Sequence, residues 1–388
     1  MNNEQVNLNQ YDNWLKDDSD IAALVLRQWL VPVEGNEAVI FPPTYAKPER
    51  MREEDWTGYN IDRFEYGANV CQIDSVGSQA NRIEPLFKRD KYKHLIPQVA
   101  IKATTEGKER TIHILDASHR AADAIVRFST LGPELHEAFR VYKEEGNAEP
   151  LARIAPTSIL FGSWDSRSTQ AKFPRIIRSV IRAFDVKELH RSAQYSTIAG
   201  EILEGGDAEV TTKGPKAELG LAHVPSVLTH GGIQVLGEIR RDASLNLVSI
   251  RTLATCSDEE STYNLRRYIL GLALVSLTAP LESSLREGCQ LVPDIDRPAE
   301  WNLVRHDGVR QDCAIDHDQA IAFATVAAEA FGVKQEETAA TFDSELANIL
   351  LGLNETERKQ LFKQGPITRE AIKQLGKKSS KKSKVKNC

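Results

Sequence analysis

Four basic residues recur in the segment 172–184, at a spacing suited to a negatively charged chain. They are Lys172, Arg175, Arg178 and Arg182. At about 100° per residue on a helix, the arginines fall in one sector that Lys172 joins, and apolar side chains occupy the opposite side. The segment contains no acidic residue to balance this charge. The pattern predicts an amphipathic helix that presents guanidinium groups to an extended phosphate chain. A solvated helix face without a partner is the alternative.

A second group of polar side chains surrounds the predicted start of a helix. It consists of Ser75, Ser78, Gln79, Asn81 and Arg82. Hydroxyl groups, amides and the free N–H groups of a helix start can bind a phosphate or a ribose. Helix capping alone would also explain the two serines.

Three weaker candidates complete the set. Trp164 follows a short apolar run in a predicted loop, where its indole could stack on a base or pack into the core. Arg240 and Arg241 are predicted at the tip of a hairpin, and Arg266 and Arg267 within a helix. Either arginine pair could contact phosphate groups.

Motifs for catalysis and metal binding are missing from the sequence. GxSxG, HExxH and GxxxxGK[ST] do not occur. The nearest acid–histidine groups lie at 119–123 and 312–318, and the second is typical of an acidic loop that caps a helix. The five cysteines are scattered without a CxxC pair, so we expect neither a zinc site nor a disulfide framework. We expect no enzymatic activity, no metal and no cofactor.

The charge of the whole chain restricts any nucleic-acid site to a local patch. The 388 residues are 41% hydrophobic and 27% charged, and the net charge is -6. Such a chain repels phosphate except where basic residues cluster. No apolar run approaches the roughly 20 residues of a membrane span, so we expect a cytoplasmic protein. The lysine-rich stretch 377–388 is predicted to be a disordered basic tail.

Predicted strands and helices follow one another without regular alternation, which indicates an α+β fold rather than a doubly wound parallel sheet. A short buried helix is predicted at 21–30, a hairpin at 99–103 and 111–115, and a further helix across 119–129. A second hairpin is predicted within 225–254. Helices are predicted at 259–276, 317–331 and 344–353, and a capping box formed by Asn354 and Glu357 begins a last helix.

An ordered series of sequence blocks resembles a known family. The blocks are DSVGSQANRIE (74–84), HRAADA (119–124), PTSILFGSWDS (156–166), KFPR (172–175), GLAHVPS (220–226) and LRRY (265–268). Together they resemble the backbone RAMP-type subunit of the type I-G CRISPR effector complex (Cascade), formerly called type I-U. The resemblance covers about residues 65 to 280.

The resemblance implies an RRM-like, ferredoxin-like core with helical insertions and a projecting β-hairpin thumb. We expect one such domain over 1–376, with a helical C-terminal part at about 315–376. Backbone subunits of this kind bind CRISPR RNA without cleaving it, polymerise head to tail along the guide spacer and present it for pairing with target DNA in antiviral interference. Other partners would be a large subunit, a fused guide-processing subunit and a recruited helicase-nuclease.

Some residues take an implied role from the resemblance. Ser78, Gln79, Asn81 and Arg82 resemble the helix start that contacts the guide backbone, and Arg175 and Arg178 would extend the groove. Arg120 belongs to the second block and is included as an RNA contact. The alternative is an RNA-guided endoribonuclease, because related backbone subunits of type III complexes cleave RNA with a loop aspartate and a metal. The acids to suspect would be Asp74, Asp116 and Asp165. A metabolic enzyme of unrelated class is a third reading.

Overall fold

A computed structural model describes residues 7–52, 56–105 and 107–373 of the chain. The strands are β1 (Ile21–Pro32), β2 (Val39–Ile40), β3 (Ile61–Arg63), β4 (Asn69–Asp74), β5 (Val99–Thr105), β6 (Lys108–His113), β7 (Ser163–Trp164), β8 (Lys172–Phe173), β9 (Ile177–Phe184), β10 (Val186–Tyr195), β11 (Val224–Val235), β12 (Ile239–Asn246), β13 (Ser284–Arg286), β14 (Cys289–Pro293), β15 (Glu300–Arg305), β16 (Arg310–Asp312) and β17 (Thr338–Thr341).

The α-helices are α1 (Asp12–Leu15), α2 (Val76–Ile83), α3 (Ala124–Arg127), α4 (Gly132–Glu145), α5 (Glu149–Ala152), α6 (Pro156–Leu160), α7 (Ile198–Glu204), α8 (Pro215–Glu218), α9 (Leu247–Arg251), α10 (Glu259–Thr278), α11 (His317–Phe331), α12 (Ser344–Gly352) and α13 (Glu355–Gln364). Short 3-10 helices cover Glu84–Lys88, Lys93–Leu95, Ile114–Asp116 and Arg120–Ala122. Strands and helices are mixed without regular alternation, which confirms the α+β class.

The central sheet has the strand order β13-β14-β1-β12-β9-β4-β3, and β15 also pairs with β1. The neighbouring strands from β14 through β4 are antiparallel. Alternate side chains of each strand face the core, among them Leu24, Leu26 and Leu245. The intervening side chains of β9 and β12 form a more open face of the sheet.

Two predicted helices are strands, and these predictions were wrong. The segment 21–30 is most of β1, and the arginine-bearing segment 172–184 contains β8 and β9. Both are short apolar runs, for which periodicity alone does not separate helix from strand. Ile177, Val180 and Ile181 are β-branched, which favours a strand. In β9 the register with β12 and β4 on its two sides then decides the direction of each side chain.

A long hairpin formed by β10 and β11 lies between β9 and β12 in the chain. Its strands pair from Val186↔Val235 to Tyr195↔Val224, and α7 and α8 connect them. The predicted hairpin within 225–254 is therefore wrong. β11 pairs with β10 and β2, whereas β12 pairs with β1 and β9, so these two consecutive strands belong to different sheets.

Helix α10 forms the centre of the core. Its residues from Leu265 to Leu277 are buried, and it packs against α11. A Cβ atom on Gly271 would lie 2.8 Å from the Cα of Ala324, so this close approach requires a glycine. The predicted helices at 259–276, 317–331 and 344–353 are confirmed within two residues. The predicted hairpin of β5 and β6 is also present, and its second strand begins three residues earlier than predicted.

Other local predictions had mixed outcomes. The capping box formed by Asn354 and Glu357 is present at the start of α13. The helix predicted across 119–129 is replaced by a short 3-10 helix and the four-residue α3. Within the described ranges, no helix has the length and apolar character needed to cross a membrane. The predicted basic tail at 377–388 lies outside the described residues.

Candidate functional site

An open cleft of about 500 Å³ brings residues 118–120 together with the neighbouring segments 162–166 and 172–175. Its lining residues are Ser118, His119, Arg120, Gly162, Ser163, Trp164, Ser166, Lys172, Phe173, Pro174 and Arg175. Four of the sequence candidates are among them: Arg120, Trp164, Lys172 and Arg175. We call this feature the basic cleft.

The two-stranded ladder of β7 and β8 positions the aromatic and cationic side chains of the basic cleft. Trp164 pairs with Lys172, and Ser163 pairs with Phe173. Because side chains alternate along a strand, Trp164 and Lys172 point outward while Phe173 is buried and stacks on Tyr142, with ring centroids 3.6 Å apart. Trp164 is 59% exposed, which excludes the core-packing alternative for this indole.

Arg175 lies in the short link between β8 and β9. Its Nε donates a hydrogen bond to the carbonyl oxygen of Phe161 at 3.1 Å, and the side chain is otherwise exposed without an acidic partner in the described chain. Partial burial, with a smaller contribution from the nearby charge of Arg120, lowers the pKa of Arg175. A group that starts from the pKa of arginine nevertheless stays protonated near neutral pH.

Arg120 lines the basic cleft but is buried, so little of its side chain contacts solvent. It is 5% exposed and adopts a positive φ of 54°. Its Nε lies 2.7 Å from Oε2 of Glu84, and its terminal nitrogens donate to the Gly162 carbonyl and to Oδ1 of Asn81 at 3.3 and 3.4 Å. Burial raises the pKa of Glu84 to about 7, although Arg120 and Thr157 oppose this shift. Arg120 therefore connects α2 to the cleft.

Only some of the predicted site residues on and beside helix α2 face solvent. Ser75 is the N-cap, and its Oγ accepts a hydrogen bond from the Ser78 N–H at 3.1 Å, so capping explains Ser75. Asn81 is exposed. Gln79 is 1% exposed and donates to Asp74 at 2.7 Å. Arg82 also donates to Asp74, at 3.1 Å. Gln79 is therefore buried, contrary to its predicted role, and Arg82 is half-buried and paired with Asp74.

Two further arginines extend the basic surface along β9. Arg178 is exposed and Arg182 is half-buried, and strand alternation puts both on the open face of the central sheet. Four residues along a strand separate them by about 13 Å. Neither forms an ion pair or a side-chain hydrogen bond with a described residue. Their predicted common face is present, although a strand provides it instead of a helix.

The remaining arginine candidates are held by internal partners. Arg240 and Arg241 lie within β12 and not at a hairpin tip. Arg240 pairs with Glu238 and Asp242, and Arg241 is 2% exposed.

Arg266 and Arg267 are buried in α10. Arg266 donates to the carbonyls of Leu253 and Leu15, and Arg267 forms an ion pair with Asp12. These two arginines fix the N-terminal segment to the core. The prediction that they are exposed phosphate contacts is therefore wrong.

The acids of the nuclease alternative each have a basic partner. Asp74 contacts Arg82 and Arg286. Asp116 contacts Lys88, and Asp165 lies 3.3 Å from Arg127. Asp74 and Asp165 are buried, at 0% and 3% exposure.

Sequence reasoning did not single out Ser118, Ser166 and Pro174 as site residues, although they line the basic cleft. Pro174 and Ser166 lie inside blocks that were noted for the resemblance, and Ser118 immediately precedes one. Their position beside HRAADA and KFPR is the signal that could have identified them.

Part of the chain is similar to a known protein family. The family model described as CRISPR-associated protein GSU0053 matches residues 24–188. The matched part runs from β1 to the start of β10 and contains α2, the basic cleft and β9. No curated protein matches the chain. The matched range is less than half of the 388 residues, so the finding is a similarity of this part of the chain to a CRISPR-associated family.

Proposed function

We propose that this chain is a noncatalytic guide-RNA-binding backbone subunit of a type I CRISPR effector complex, of the type I-G kind. One observation carries the proposal: the basic cleft presents an exposed indole and two cations that have no acidic partner among the described residues. Trp164, Lys172 and Arg175 supply these groups.

The chemistry of the cleft suits a single strand of RNA. Lysine and arginine side chains contact phosphates without reading sequence, and an exposed aromatic ring stacks on any base. Arg178 and Arg182 would continue this contact along the open face of the sheet. Such binding tolerates any guide sequence, which leaves the exposed bases to select the target by pairing.

The strand topology supports an RRM-like core. The first, second, third and fourth core strands would be β1, β9, β12 and the edge formed by β14 and β15. Their spatial order 4-1-3-2, with antiparallel neighbours, is the arrangement of a ferredoxin-like β-α-β-β-α-β unit. The β10–β11 hairpin then lies between the second and third core strands, and we propose it as the thumb.

The end of this hairpin has an apolar surface that suits contact with another protein. Ile198, Ile202 and Leu203 on α7 are 70 to 75% exposed. Clustered exposed apolar residues of this kind mark interaction sites. We propose that copies of the chain assemble along one guide in the cytoplasm, together with the large subunit, the fused guide-processing subunit, target DNA and the helicase-nuclease.

The test measures RNA affinity of purified full-length protein by fluorescence anisotropy at several salt concentrations. We expect the double variant Lys172→Ala/Arg175→Ala to bind a short single-stranded RNA more weakly and with a smaller salt slope, by about 1.4 if both residues contact phosphates. Arg140→Ala is the matched control, because Arg140 is a surface arginine of α4 that pairs with Glu137 and Glu144. Equal affinity and slope in the double variant and the wild type would reject the cleft as the RNA site.

The same preparation separates a scaffold from an endoribonuclease. We expect no cleavage of bound or complementary RNA with Mg²⁺ or Mn²⁺. A metal-dependent cut that Asp116→Asn or Asp165→Asn abolishes would instead favour the endoribonuclease.

A further inference from the structure

A second cavity, of about 150 Å³, is lined in part by residues of α2. Its lining residues are Gln79, Arg82, Ile83, Leu86, Arg89, Arg241, Ser276, Ala279, Pro280, Leu281 and Glu282. We call it the arginine cavity. It can hold more than one water molecule, since a single water needs about 10–15 Å³.

Arg241 is a buried cation without an acidic partner in the described part of the chain. Its Nε donates to the hydroxyl of Ser179 at 3.1 Å, and one terminal nitrogen donates to Oε1 of Gln28 at 3.4 Å. Both acceptors are neutral. Burial alone lowers the pKa of Arg241 to about 10, so the side chain remains charged near neutral pH. An uncompensated buried charge is strongly unfavourable.

Hydrogen bonds through two neutral side chains connect Arg241 to the carboxylate of Asp74, but do not neutralise the guanidinium group. The Ser179 hydroxyl donates to Gln79, which donates to Asp74. Asp74 already pairs with Arg82 and Arg286. Two guanidinium groups thus share this carboxylate while Arg241 contacts none among the described residues, so a positive excess remains beside the cavity.

The other charged residues of the lining add to this excess. Arg89 is exposed at the cavity and forms no ion pair with a described residue, and Arg82 contributes its partly exposed side chain. Glu282, also exposed, is the acidic member of the lining. Arg241 and Arg82 each donate two hydrogen bonds to protein acceptors. Their remaining N–H groups, together with the guanidinium group of Arg89, fit a ligand with several anionic oxygens. A monocarboxylate would satisfy only one of these guanidinium groups.

We infer that the arginine cavity binds a phosphate group, with Arg241 at its wall and Arg82 and Arg89 completing the contact. For a free phosphorylated small molecule this inference goes beyond the proposed function, and for an RNA phosphate it rests on that function. The phosphate could belong to the RNA backbone or to a free phosphorylated small molecule, and the experiment distinguishes these sources.

The test uses RNA-free full-length protein and inorganic phosphate as the probe, with chloride at equal ionic strength as the reference. We expect phosphate to raise the melting temperature in a saturable manner, because a ligand that binds only the folded state stabilises it. Arg241→Met and Arg89→Ala should each weaken phosphate affinity by about tenfold or more, the effect of losing a hydrogen bond to a charged group.

Arg240→Met is the matched control, because Arg240 immediately precedes Arg241 in β12, points to the opposite face and is paired with Glu238 and Asp242. It should keep the phosphate response. Without phosphate, Arg241→Met should melt no lower than the wild type, since it removes an uncompensated charge. If that variant does not fold, Arg89→Ala at the exposed rim still tests the site.

A saturating short RNA then identifies the source of the phosphate. Loss of the phosphate response would assign the cavity to an RNA phosphate, and a retained response that AMP competes away would assign it to a free nucleotide or similar molecule. The inference is overturned if phosphate has no effect beyond that of chloride, or if the effect persists unchanged in both Arg241→Met and Arg89→Ala.

Discussion

Trp164 and Lys172 are directly opposed across the β7–β8 ladder, with the lysine Nζ 6.0 Å from the centroid of the indole. The pair exists because Phe173, next to Lys172, is buried on the other side of the ladder. One local alternation of side chains therefore anchors the ladder and presents an aromatic ring beside a cation.

This pair allows stacking and charge to be measured separately. Trp164→Ala should lower the affinity for single-stranded RNA by about 1–3 kcal/mol without changing the salt slope, because stacking releases no counterions. Lys172→Ala should reduce the salt slope by about 0.7, the value for one phosphate contact on a single strand. Binding isotherms at four salt concentrations measure both quantities. An altered slope in Trp164→Ala would contradict the assigned roles.

Loss of the unpaired arginines of β9 should weaken RNA binding more than loss of their paired neighbour on β12. Arg178→Ala/Arg182→Ala should weaken RNA binding and reduce the salt slope by about 1.4, since two phosphate contacts are lost. Arg240→Ala should change the slope little, because Arg240 lies opposite Arg182 but is neutralised by Glu238 and Asp242. The same isotherms compare the variants. A larger effect of Arg240→Ala would place the RNA elsewhere on the sheet.

Gly162 should be required for the shape of the basic cleft. Its φ is +80°, and a Cβ would lie 2.7 Å from Cγ of Arg175. Gly162→Ala should therefore reduce the free energy of unfolding by roughly 1–3 kcal/mol and displace Arg175, so that RNA affinity also falls. Urea denaturation and RNA titration measure the two effects.

Gly107→Ala is the matched control for backbone strain. Gly107 has a similar φ of +74°, but nothing lies within 4 Å of its added Cβ. The Gly107→Ala variant should have a somewhat lower free energy of unfolding and an unchanged RNA affinity. Equal RNA binding by folded Gly162→Ala and Gly107→Ala would show that the contact with Arg175 has no role in the site.

Glu84 should make stability depend on pH. Burial raises its folded-state pKa to about 7, above the ordinary value of 4.5, so the folded protein binds the proton more tightly than the unfolded chain does. Stability from this group is therefore present at low pH and declines as pH rises from about 4.5 through 7. Relative to Glu84→Gln, the free energy of unfolding of the wild type should fall by on the order of 2 kcal/mol over this pH range, since one pKa unit corresponds to about 1.4 kcal/mol.

Urea midpoints of the wild type and Glu84→Gln at pH 5 and pH 7 measure this difference. The comparison of the two proteins at each pH cancels the contributions of all other titrating groups, because both proteins share them. A constant difference between the two proteins at both pH values would contradict the raised pKa.

Local sequence signals predicted the elements that local interactions stabilise. The capping box of α13, the N-cap of α2 and the long helix α10 depend on residues close in sequence, and each is present as predicted. The hairpin of β5 and β6 also forms between neighbouring segments. These features follow from hydrogen bonds and side-chain periods that a single segment contains.

Pairing between distant segments decided whether the short apolar runs form helices or strands. β1 pairs with β12 more than 200 residues away, and such contacts leave no signal within the segment 21–30. β9 became a strand for the same reason. The predicted common face of Arg178 and Arg182 persisted, because residues four apart share a side in a helix and in a strand alike.

The sequence by itself determined the α+β class, the positions of the local helices and the set of basic and aromatic residues that could meet RNA. Only the tertiary structure decided which of those residues are free. Trp164, Lys172 and Arg175 face an open cleft, whereas Arg241, Arg266 and Arg267 are buried. The physical reason is that the availability of a charge depends on burial and on the acids beside it, and both are set by segments distant in the chain.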